Sequence, residues 1–323
     1  MREALLGLLA CPRCRSGGMV LTIHARDARE IREGELVCRS CGTRIPIHKG
    51  IVQALADPPA QVAVEADGWV KLLDVPEKQH EFRDEWILSL PFLRAELSPD
   101  QDSVRVWNQM GRHFFESLDR FDWRGQRVLE IGAGRCWAVA ELARRGAEAV
   151  GLDILSYKYL GLVTADVWFA AHPDLYFERV IGDMHKLPFQ PGVLDFVIAT
   201  ASMHHTDRLP LALKEAARAL KDGGRALFVN EPVILMARSR PDISRTPEAQ
   251  HGIVESRPTY DEWLAAFESA GLGIEGVRFA DGMHITLKKG VPHGWLRRFR
   301  WLRLAEAWFW TLVDAIRVRL GSG

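Results

Sequence analysis

The stretch VLEIGAGRC, residues 128–136, decides the fold. It begins with a short apolar run suited to a buried strand. Gly132 and Gly134 then allow a tight turn in which the backbone can approach a ligand closely, and a helix is predicted after Cys136. This order of strand, glycine loop and helix is typical of the first unit of an α/β domain.

After residue 124, short apolar runs alternate with helical patterns, which predicts a parallel sheet with helices on both faces. Seven strands are predicted, at 127–131, 149–153, 179–182, 194–199, 225–230, 274–279 and 284–288. Helices are predicted at 137–145, 157–171, 209–220 and 260–270. The last helix has a capping box from Thr259 to Glu262 and should stop at Gly271. The fold class is therefore α/β.

An acidic residue, Asp153, ends the second predicted strand, 21 residues after Gly132. A carboxylate at that place can accept hydrogen bonds from both hydroxyls of a ribose. The dinucleotide fingerprint G-x-G-x-x-G would need a glycine at position 137, where this chain has Trp137. Because an indole there would obstruct close packing around a pyrophosphate, the sequence predicts a nucleoside ligand and disfavours a nicotinamide cofactor.

These motifs resemble those of the class I S-adenosylmethionine-dependent methyltransferases, in particular the group that includes quinone-biosynthesis and natural-product enzymes. Residues 130–136 match that family's first motif, with Cys136 in place of a frequent third glycine. Residues 195–200 match its fourth strand, and 220–225 match the turn before its fifth. The resemblance covers about 125–289 and implies a Rossmann-like, seven-stranded sheet with S-adenosylmethionine as cofactor.

The resemblance also implies which residues bind that cofactor. Asp153 should hold the ribose, while Asp183 and Met184 should meet the adenine. The complete predicted set is Glu130, Gly132, Ala133, Gly134, Asp153, Ile154, Asp183, Met184 and Thr200. The neighbouring His185 is expected to be exposed. A nucleophilic role for Cys136 is disfavoured, because it would need a nearby base and a lowered pKa.

Composition excludes several other classes of protein. The 323 residues, 47% apolar and 26% charged, suffice for more than one packed core. With 42 basic and 42 acidic residues the net charge is zero, so nucleic acid or anionic lipid could bind only to a local patch. No apolar run is long enough for a membrane span, and the apolar start at 4–10 is too short for a typical signal peptide. We expect a cytoplasmic protein.

Four of the five cysteines form two C-x2-C pairs, Cys11 with Cys14 and Cys38 with Cys41. This spacing lets four thiolates converge on one tetrahedral ion, which predicts a structural Zn²⁺ with no open position for a catalytic water. Predicted strands at 19–24 and 35–37 would pair into a ribbon that is too small to fold well without the metal. A redox role is disfavoured, since a thioredoxin-like βαβ context is missing.

The segment from residue 8 to 51 resembles the small zinc ribbons that accompany methyltransferases as a fused module or partner subunit. That resemblance implies a ribbon at 1–56 that supports a catalytic domain. Pro58 and Pro59 then mark a linker. We expect a linker and helical cap region at 57–124. Most of its aromatic residues should belong to the core, while some roof a substrate cavity. A methyltransferase domain should follow at 125–289, with a substrate or lid insertion at 231–258.

The tail at 290–323 is predicted to be an aromatic and basic amphipathic helix. Its wide apolar face must be covered. The alternatives left open are packing on the same chain, a homodimer, a lipophilic substrate, a peripheral membrane contact and, least favoured, unpaired nucleic acid.

A sulfonium methyl group is already activated, so a general base is needed only for an acceptor such as a hydroxyl or a protonated amine. His204 and His205, after the fourth predicted strand, and His251, in the insertion, are the candidates. For His204 and His205 a hydrogen-bonded structural role is the alternative.

The sequence therefore predicts an S-adenosylmethionine-dependent methyltransferase that modifies oxygen or carbon of a small, hydrophobic or natural-product acceptor. Two alternatives stay open. One is an RNA methyltransferase docking through the ribbon with Arg13, Arg15, Arg39 and Arg44. The other is a non-catalytic scaffold that binds the cofactor without transferring a methyl group.

Overall fold

The structure is a computed structural model that describes residues 1–235 and 241–291. Nearly all of the predicted C-terminal helix, and residues 236–240 of the predicted insertion, lie outside the described residues. Thirteen strands occur within the described ranges: β1 (Met19–Arg26), β2 (Ile31–Cys38), β3 (Arg44–His48), β4 (Ile51–Gln53), β5 (Arg127–Ile131), β6 (Glu148–Asp153), β7 (Ser156–Tyr157), β8 (Leu160–Gly161), β9 (Glu178–Ile181), β10 (Leu194–Thr200), β11 (Leu220–Glu231), β12 (Leu272–Phe279) and β13 (Met283–Lys289).

The same ranges contain eight α-helices: α1 (Ala60–Leu73), α2 (Asp84–Leu88), α3 (Gln101–Leu118), α4 (Trp137–Arg144), α5 (Ala165–Ala171), α6 (Leu209–Ala219), α7 (Pro247–Gln250) and α8 (Tyr260–Ser269). The predicted capping box at Thr259 is present, with both of its hydrogen bonds. None of the helices described here is both long and apolar enough to cross a membrane.

The N-terminal ribbon is formed by β1 to β4, each strand antiparallel to the next. Gly34 on β2 faces β1 so closely that a Cβ there would lie 2.6 Å from the carbonyl oxygen of Thr22. Strands β1 and β2 were predicted, though shorter, whereas β3 and β4 were not. A three-residue strand such as β4 carries no periodic signal.

The ribbon continues directly into the main sheet, because β4 pairs in parallel with β9 through Val52 and Val180. The eleven strands of this sheet run in the order β1-β2-β3-β4-β9-β6-β5-β10-β11-β13-β12. One hydrophobic core joins Leu36 and Ile47 of the ribbon to Val180 and Phe189 of the main domain. Ribbon and main domain are therefore a single packed body, which the sequence did not predict.

Seven strands, from β9 to β12 in that order, confirm the predicted Rossmann-like sheet. Strands β5, β6, β9, β10 and β11 are parallel, and β13 is antiparallel to both of its neighbours. Buried residues of α2 to α5 form the core on one face of the sheet, and those of α6 and α8 form the core on the other. The carboxyl ends of the parallel strands meet at one edge, where ligands bind in such folds.

One predicted helix, at 157–171, is wrong in its first half. Residues 156–161 form the small β7-β8 hairpin, a 3₁₀ turn follows at Leu162–Thr164, and the helix begins only at Ala165. Tyr159 and Gly161 both have positive φ angles, of 59° and 73°. A helix cannot pass through two left-handed residues, which explains the late start.

Candidate functional site

The loop between β5 and α4 has the conformation that its glycines suggested. Gly132, Gly134 and Cys136 have φ angles of 71°, 48° and 62°. A Cβ on Gly132 would lie 2.6 Å from the Cβ of Ser202, so only glycine fits there. At Gly134 a Cβ would have its nearest neighbour 3.9 Å away and would project into open space. The loop thus leaves room for a ligand against its backbone.

Asp153 ends β6 and is fixed beside this loop. One of its carboxylate oxygens accepts the Gly134 N–H at 2.7 Å, and the other accepts the Leu155 N–H at 2.8 Å. Burial raises the pKa of Asp153, and the two backbone donors oppose that shift. A carboxylate oxygen has more than one lone pair, so Asp153 can still accept hydrogen bonds from a ligand.

Asp183 follows β9 and faces the same hollow. Its Oδ1 accepts from the backbone N–H of His185 at 2.8 Å and lies 2.7 Å from the His185 Nδ1. Burial alone would raise the pKa of Asp183, but the hydrogen bonds from His185 hold it below its usual value. The expectation that His185 is exposed is wrong: only 12% of its side chain is accessible, because the ring is held between Asp183 and the Thr206 hydroxyl.

A cavity of about 420 Å³ lies between the glycine loop and the helical cap. All nine residues of the predicted cofactor set line it. They come from the carboxyl ends of β5, β6, β9 and β10, where the sheet topology brings distant parts of the chain together. The volume is within the range of small-molecule sites in proteins.

The cap supplies the other side of the cavity. The sequence did not predict most of these residues as part of a site: Val62, Glu65, Leu73, Lys78, Glu81, Ser103 and Met110. The cap aromatics Trp69 and Trp107 line the same side. Trp107 also contacts the rings of Trp86 and Trp137 edge-on. The expectation that some cap aromatics roof a cavity is confirmed for Trp69 and Trp107. The sequence could not show which aromatics do so, because their positions depend on how α1 and α3 pack.

Two residues that line this cavity each have a buried polar atom without a partner in the part of the chain that the structure describes. The Oε2 of Glu130 and the Oγ1 of Thr200 have no hydrogen-bond partner among the described residues. Burial raises the pKa of Glu130 well above its usual value, and burial together with Asp153 and Asp183 raises the pKa of Glu65 to about 8. Unpaired buried polar atoms are costly, so a ligand that hydrogen-bonds here fits the site.

The three candidate histidines are separated by the fold. His205 lines the cavity, packs edge-on to Trp69 at 5.1 Å and donates from Nδ1 to the Val254 carbonyl at 2.8 Å. Burial, with the neighbouring His204, lowers the pKa of His205 to about 3, which keeps the ring neutral. His251 does not line the cavity, and its Nδ1 donates to Pro247 within its own turn.

His204 lies behind His205 and is anchored to the sheet. Its Nδ1 is 2.9 Å from the Oε2 of Glu231, a fully buried carboxylate that also accepts the N–H groups of Ser202 and Met203 at 3.0 Å. Burial alone would lower the pKa of His204, but Glu231 raises it above its usual value. The hydrogen-bonded alternative considered for this residue matches its position.

The four ribbon cysteines lie together. The Sγ atoms of Cys11 and Cys41 are 3.6 Å apart, those of Cys14 and Cys38 are 3.5 Å apart, and all four lie within 4.8 Å of one another. Four sulfurs bound tetrahedrally at 2.3 Å would be about 3.8 Å apart. The donor set and its spacing therefore fit the predicted Zn²⁺.

Three of the four arginines proposed for RNA docking are engaged in ion pairs: Arg13 with Asp57 at 3.0 Å, Arg15 with Glu215 at 2.7 Å and Arg44 with Glu35 at 2.5 Å. Arg15 reaches from the cysteine cluster onto the main domain, where it also donates to the Leu187 carbonyl at 3.1 Å. This arginine connects the two parts of the protein.

The fold and the cavity define a domain of the methyltransferase type, and comparison with known proteins agrees. Residues 129–228 match the family described as "Methyltransferase domain", and residues 2–50 match "Trm112p-like protein". The geranyl diphosphate C-methyltransferase of Streptomyces coelicolor A3(2) has the same fold, with a TM-score of 0.54 and 14% identity, over 72% of this chain and 99% of that one.

Two curated relatives support the assignment at the level of sequence. The demethylmenaquinone methyltransferase of Mycobacterium tuberculosis is 30% identical over 188 residues, which are 53% of this chain and 76% of the relative. The biotin biosynthesis bifunctional protein BioHC of Cellvibrio japonicus is 38% identical over 100 residues, but the match spans only 18% of its length and 31% of this chain. The chain therefore belongs to the S-adenosylmethionine-dependent methyltransferases, with a Trm112-like module at its N-terminus.

Proposed function

We propose that this enzyme transfers the methyl group to oxygen or carbon of a small, hydrophobic acceptor of the natural-product type. The observation that carries the proposal is the division of the cavity. Carboxylates and the glycine loop form one side. On the other side the cap contributes the apolar side chains of Trp69, Leu73, Trp107 and Met110, beside the polar ones of Glu65, Lys78, Glu81 and Ser103. A site divided in this way suits a polar cofactor beside an apolar acceptor.

On the polar side, the nine predicted residues would bind S-adenosylmethionine. Asp153 would accept from the ribose hydroxyls, and Asp183 with Met184 would meet the adenine. Glu130 and Thr200, each with a buried oxygen that has no partner among residues 1–235 and 241–291, would serve the methionine end. The cofactor supplies an activated methyl group, and the protein's task is to align the acceptor at about 3 to 3.5 Å and to exclude water.

On the apolar side, Trp69, Trp107 and Met110 would hold the acceptor. Arg135 also reaches the cavity, but its guanidinium is engaged with Glu81 at 2.6 Å. An acceptor buried against these side chains would gain by burial of its apolar surface, whereas a charged one would lose its hydration. The printed name of the mycobacterial relative, a demethylmenaquinone methyltransferase, supports an acceptor of this kind.

The need for a base depends on the acceptor. His204, His205 and His251 were predicted for this role, and His205 is the one that lines the cavity. It is neutral, and its Nε2 carries the lone pair because Nδ1 donates to Val254. For a hydroxyl acceptor His205 is the histidine in position to accept a proton, but its lowered pKa makes it a weak base. This favours an acceptor that reacts as an enolate and requires no base.

The ribbon would hold a structural Zn²⁺ through Cys11, Cys14, Cys38 and Cys41. We propose the division into a ribbon at 1–56, a linker and cap at 57–124, a catalytic domain at 125–289 with an insertion at 231–258, and a tail at 290–323. The shared sheet and core support the proposal that the ribbon stabilises the catalytic domain. The pairing of Arg13, Arg15 and Arg44 with acids argues against RNA docking by this face.

The proposal is tested by measuring release of S-adenosylhomocysteine with lipophilic phenols and quinols and with charged analogues of the same ring systems. We expect turnover of the lipophilic compounds only. Trp107→Ala should raise KM for the acceptor by about 10-fold or more, the loss expected for one large apolar contact, while cofactor affinity stays unchanged. Phe92→Ala is the matched control, since Phe92 is an exposed cap aromatic outside the cavity.

A different acceptor class would be recognised in the same assay. Methylation of charged acceptors alone, or equal KM values for the Trp107 and Phe92 variants, would contradict the proposal. RNA affinity that falls steeply with salt and weakens on charge reversal of Arg39 would favour the docking alternative instead.

A further inference from the structure

The end of β10 and the insertion bring together a second group of metal-ligating side chains, distinct from the cysteine cluster. Ligand atoms of His204, His205 and Glu255 lie within 4.8 Å of one another. All three side chains are largely buried, with exposed fractions of 10%, 14% and 7%. We propose that these residues bind a divalent transition-metal ion of the zinc class.

The hydrogen bonds around the two rings are those of metal-binding histidines. The Nδ1 of His204 faces the Glu231 carboxylate at 2.9 Å, and the Nδ1 of His205 donates to the Val254 carbonyl at 2.8 Å. Histidine ligands usually donate the N–H of their other ring nitrogen to a carboxylate or a backbone carbonyl, which fixes the ring and leaves the remaining nitrogen with a lone pair. Both Nε2 atoms can therefore act as ligands.

Glu255 contributes the negative charge. Its Oε2 is 3.7 Å from the Nε2 of His204, which is too far for a hydrogen bond. The same oxygen is 3.6 Å from the Nδ1 of His205, but that nitrogen donates to Val254, so His205 would offer the ion its Nε2. Two ligand atoms at about 2.1 Å from one ion and at a tetrahedral angle are about 3.4 Å apart. The distance between the Nε2 of His204 and the Oε2 of Glu255 is thus longer than a hydrogen bond and close to the separation of two ligands on one metal ion. The other oxygen, Oε1, is 3.3 Å from the Nε of Arg257.

The charges in this part of the protein also favour a dication. Glu231 and Glu255 are carboxylates with almost inaccessible side chains, and Arg257, which pairs with Glu255, contacts its outer oxygen. Two imidazoles and one carboxylate are a donor set typical of Zn²⁺ and related ions. An ion held here would join the loop after β10 to the insertion, where Ser256 already donates to the His204 carbonyl through both its N–H and its hydroxyl.

This ion would use the His205 lone pair that a general base would need. The metal site and the base are therefore two incompatible roles for one residue, and metal content distinguishes them. The site is independent of the ribbon cysteines and of the identity of the acceptor, so failure of either proposal above would leave this one standing.

The test is the zinc content of the full-length protein after dialysis against a buffer of fixed free Zn²⁺, measured by mass spectrometry of the metal. We expect about two equivalents in the wild type, one for each site, and about one in Glu255→Gln. Glu248→Gln, the same change elsewhere in the insertion, is the matched control and should keep two. One equivalent in the wild type, or equal contents in Glu255→Gln and the wild type, would overturn the proposal.

A second measurement avoids reliance on a variant that misfolds. Co²⁺ is added to wild-type protein whose cysteine site is already filled with Zn²⁺. Binding at the histidine site should give cobalt d–d absorption without the strong sulfur charge-transfer band of a thiolate site. It should also slow amide hydrogen exchange at 253–257. A spectrum with no new d–d band means that the site does not hold a metal.

Discussion

The junction between ribbon and catalytic domain depends on a buried ion pair. Arg179 on β9 and Glu30, just before β2, both have fully inaccessible side chains, and the two Nη2–Oε distances are 2.5 and 2.6 Å. Arg32 also donates to Glu30 at 2.7 Å. Replacing Glu30 by glutamine keeps the volume but leaves the Arg179 guanidinium without its main counter-charge.

Removing one partner of a buried pair costs about 3 to 5 kcal/mol. For a domain of this size each kcal/mol lowers the melting temperature by about 2 to 4 °C, so Glu30→Gln should melt about 6 to 20 °C below the wild type. The matched control is Glu33→Gln on β2, where the side chain is 42% exposed and pairs with His48. A surface pair is worth about 0 to 1 kcal/mol, so this control should melt within a few degrees of the wild type.

The assay is thermal unfolding in zinc-containing buffer, repeated over a range of pH. Burial alone would raise the pKa of Glu30, but Arg179 outweighs it and holds the pKa below its usual value. A depressed acid pKa stabilises the fold above the pKa of the unfolded chain, and this contribution is lost as pH falls through the folded pKa. The difference between wild type and Glu30→Gln should therefore be constant near neutral pH and shrink in acid. Equal melting of Glu30→Gln and Glu33→Gln would refute the reasoning.

Three further predictions concern the cavity and the ribbon. Gly134→Ala should lose about 1 to 2 kcal/mol of stability, which is the cost of a left-handed alanine. It should also bind the cofactor at least 10-fold more weakly in calorimetry, because its methyl group enters the cavity. Gly132→Ala, whose methyl group would clash with Ser202, should be less stable still. Glu65 has a raised pKa and therefore binds its proton more tightly in the folded protein than in the unfolded chain, so the wild type loses stability between about pH 4.5 and 8. Glu65→Gln should reduce this loss and should raise the free energy of unfolding most above about pH 8. Identical pH profiles of the two proteins in denaturant titrations would exclude this. Arg15→Ala should lower the free energy of unfolding by about 1 kcal/mol, because its ion pair with Glu215 is partly exposed. If the loss is no larger than that of Arg44→Ala, whose ion pair lies within the ribbon, Arg15 does not stabilise the junction between ribbon and main domain.

The sequence located one side of the cavity well because the relevant information is local. Gly132 and Gly134 follow one strand, Asp153 ends the next, and Asp183 follows β9. Parallel strands place such ends at one edge of the sheet. The cysteine pairs were equally readable, since ligand spacing within a turn determines where the thiolates point.

The other side could not be predicted in the same way. Trp69 and Trp107 belong to helices whose periodicity indicates a buried face but does not indicate which cavity that face meets. The pairing of β4 with β9, in which Val52 lies opposite Val180, joins segments more than 120 residues apart, so no local pattern reveals it. The exposure of His185 was predicted from its neighbours in sequence, whereas its ring is held by the hydroxyl of Thr206, 21 residues further along the chain.

Calorimetric titration of the zinc-loaded, full-length protein with S-adenosylmethionine is the measurement that bears most directly on the cavity as a cofactor site. We predict binding of about one molecule per chain, and affinity lowered by about 10-fold or more in Asp153→Asn, which loses the charge at the ribose position. A folded wild-type protein that releases no heat and shows no binding would contradict the assignment of these nine residues.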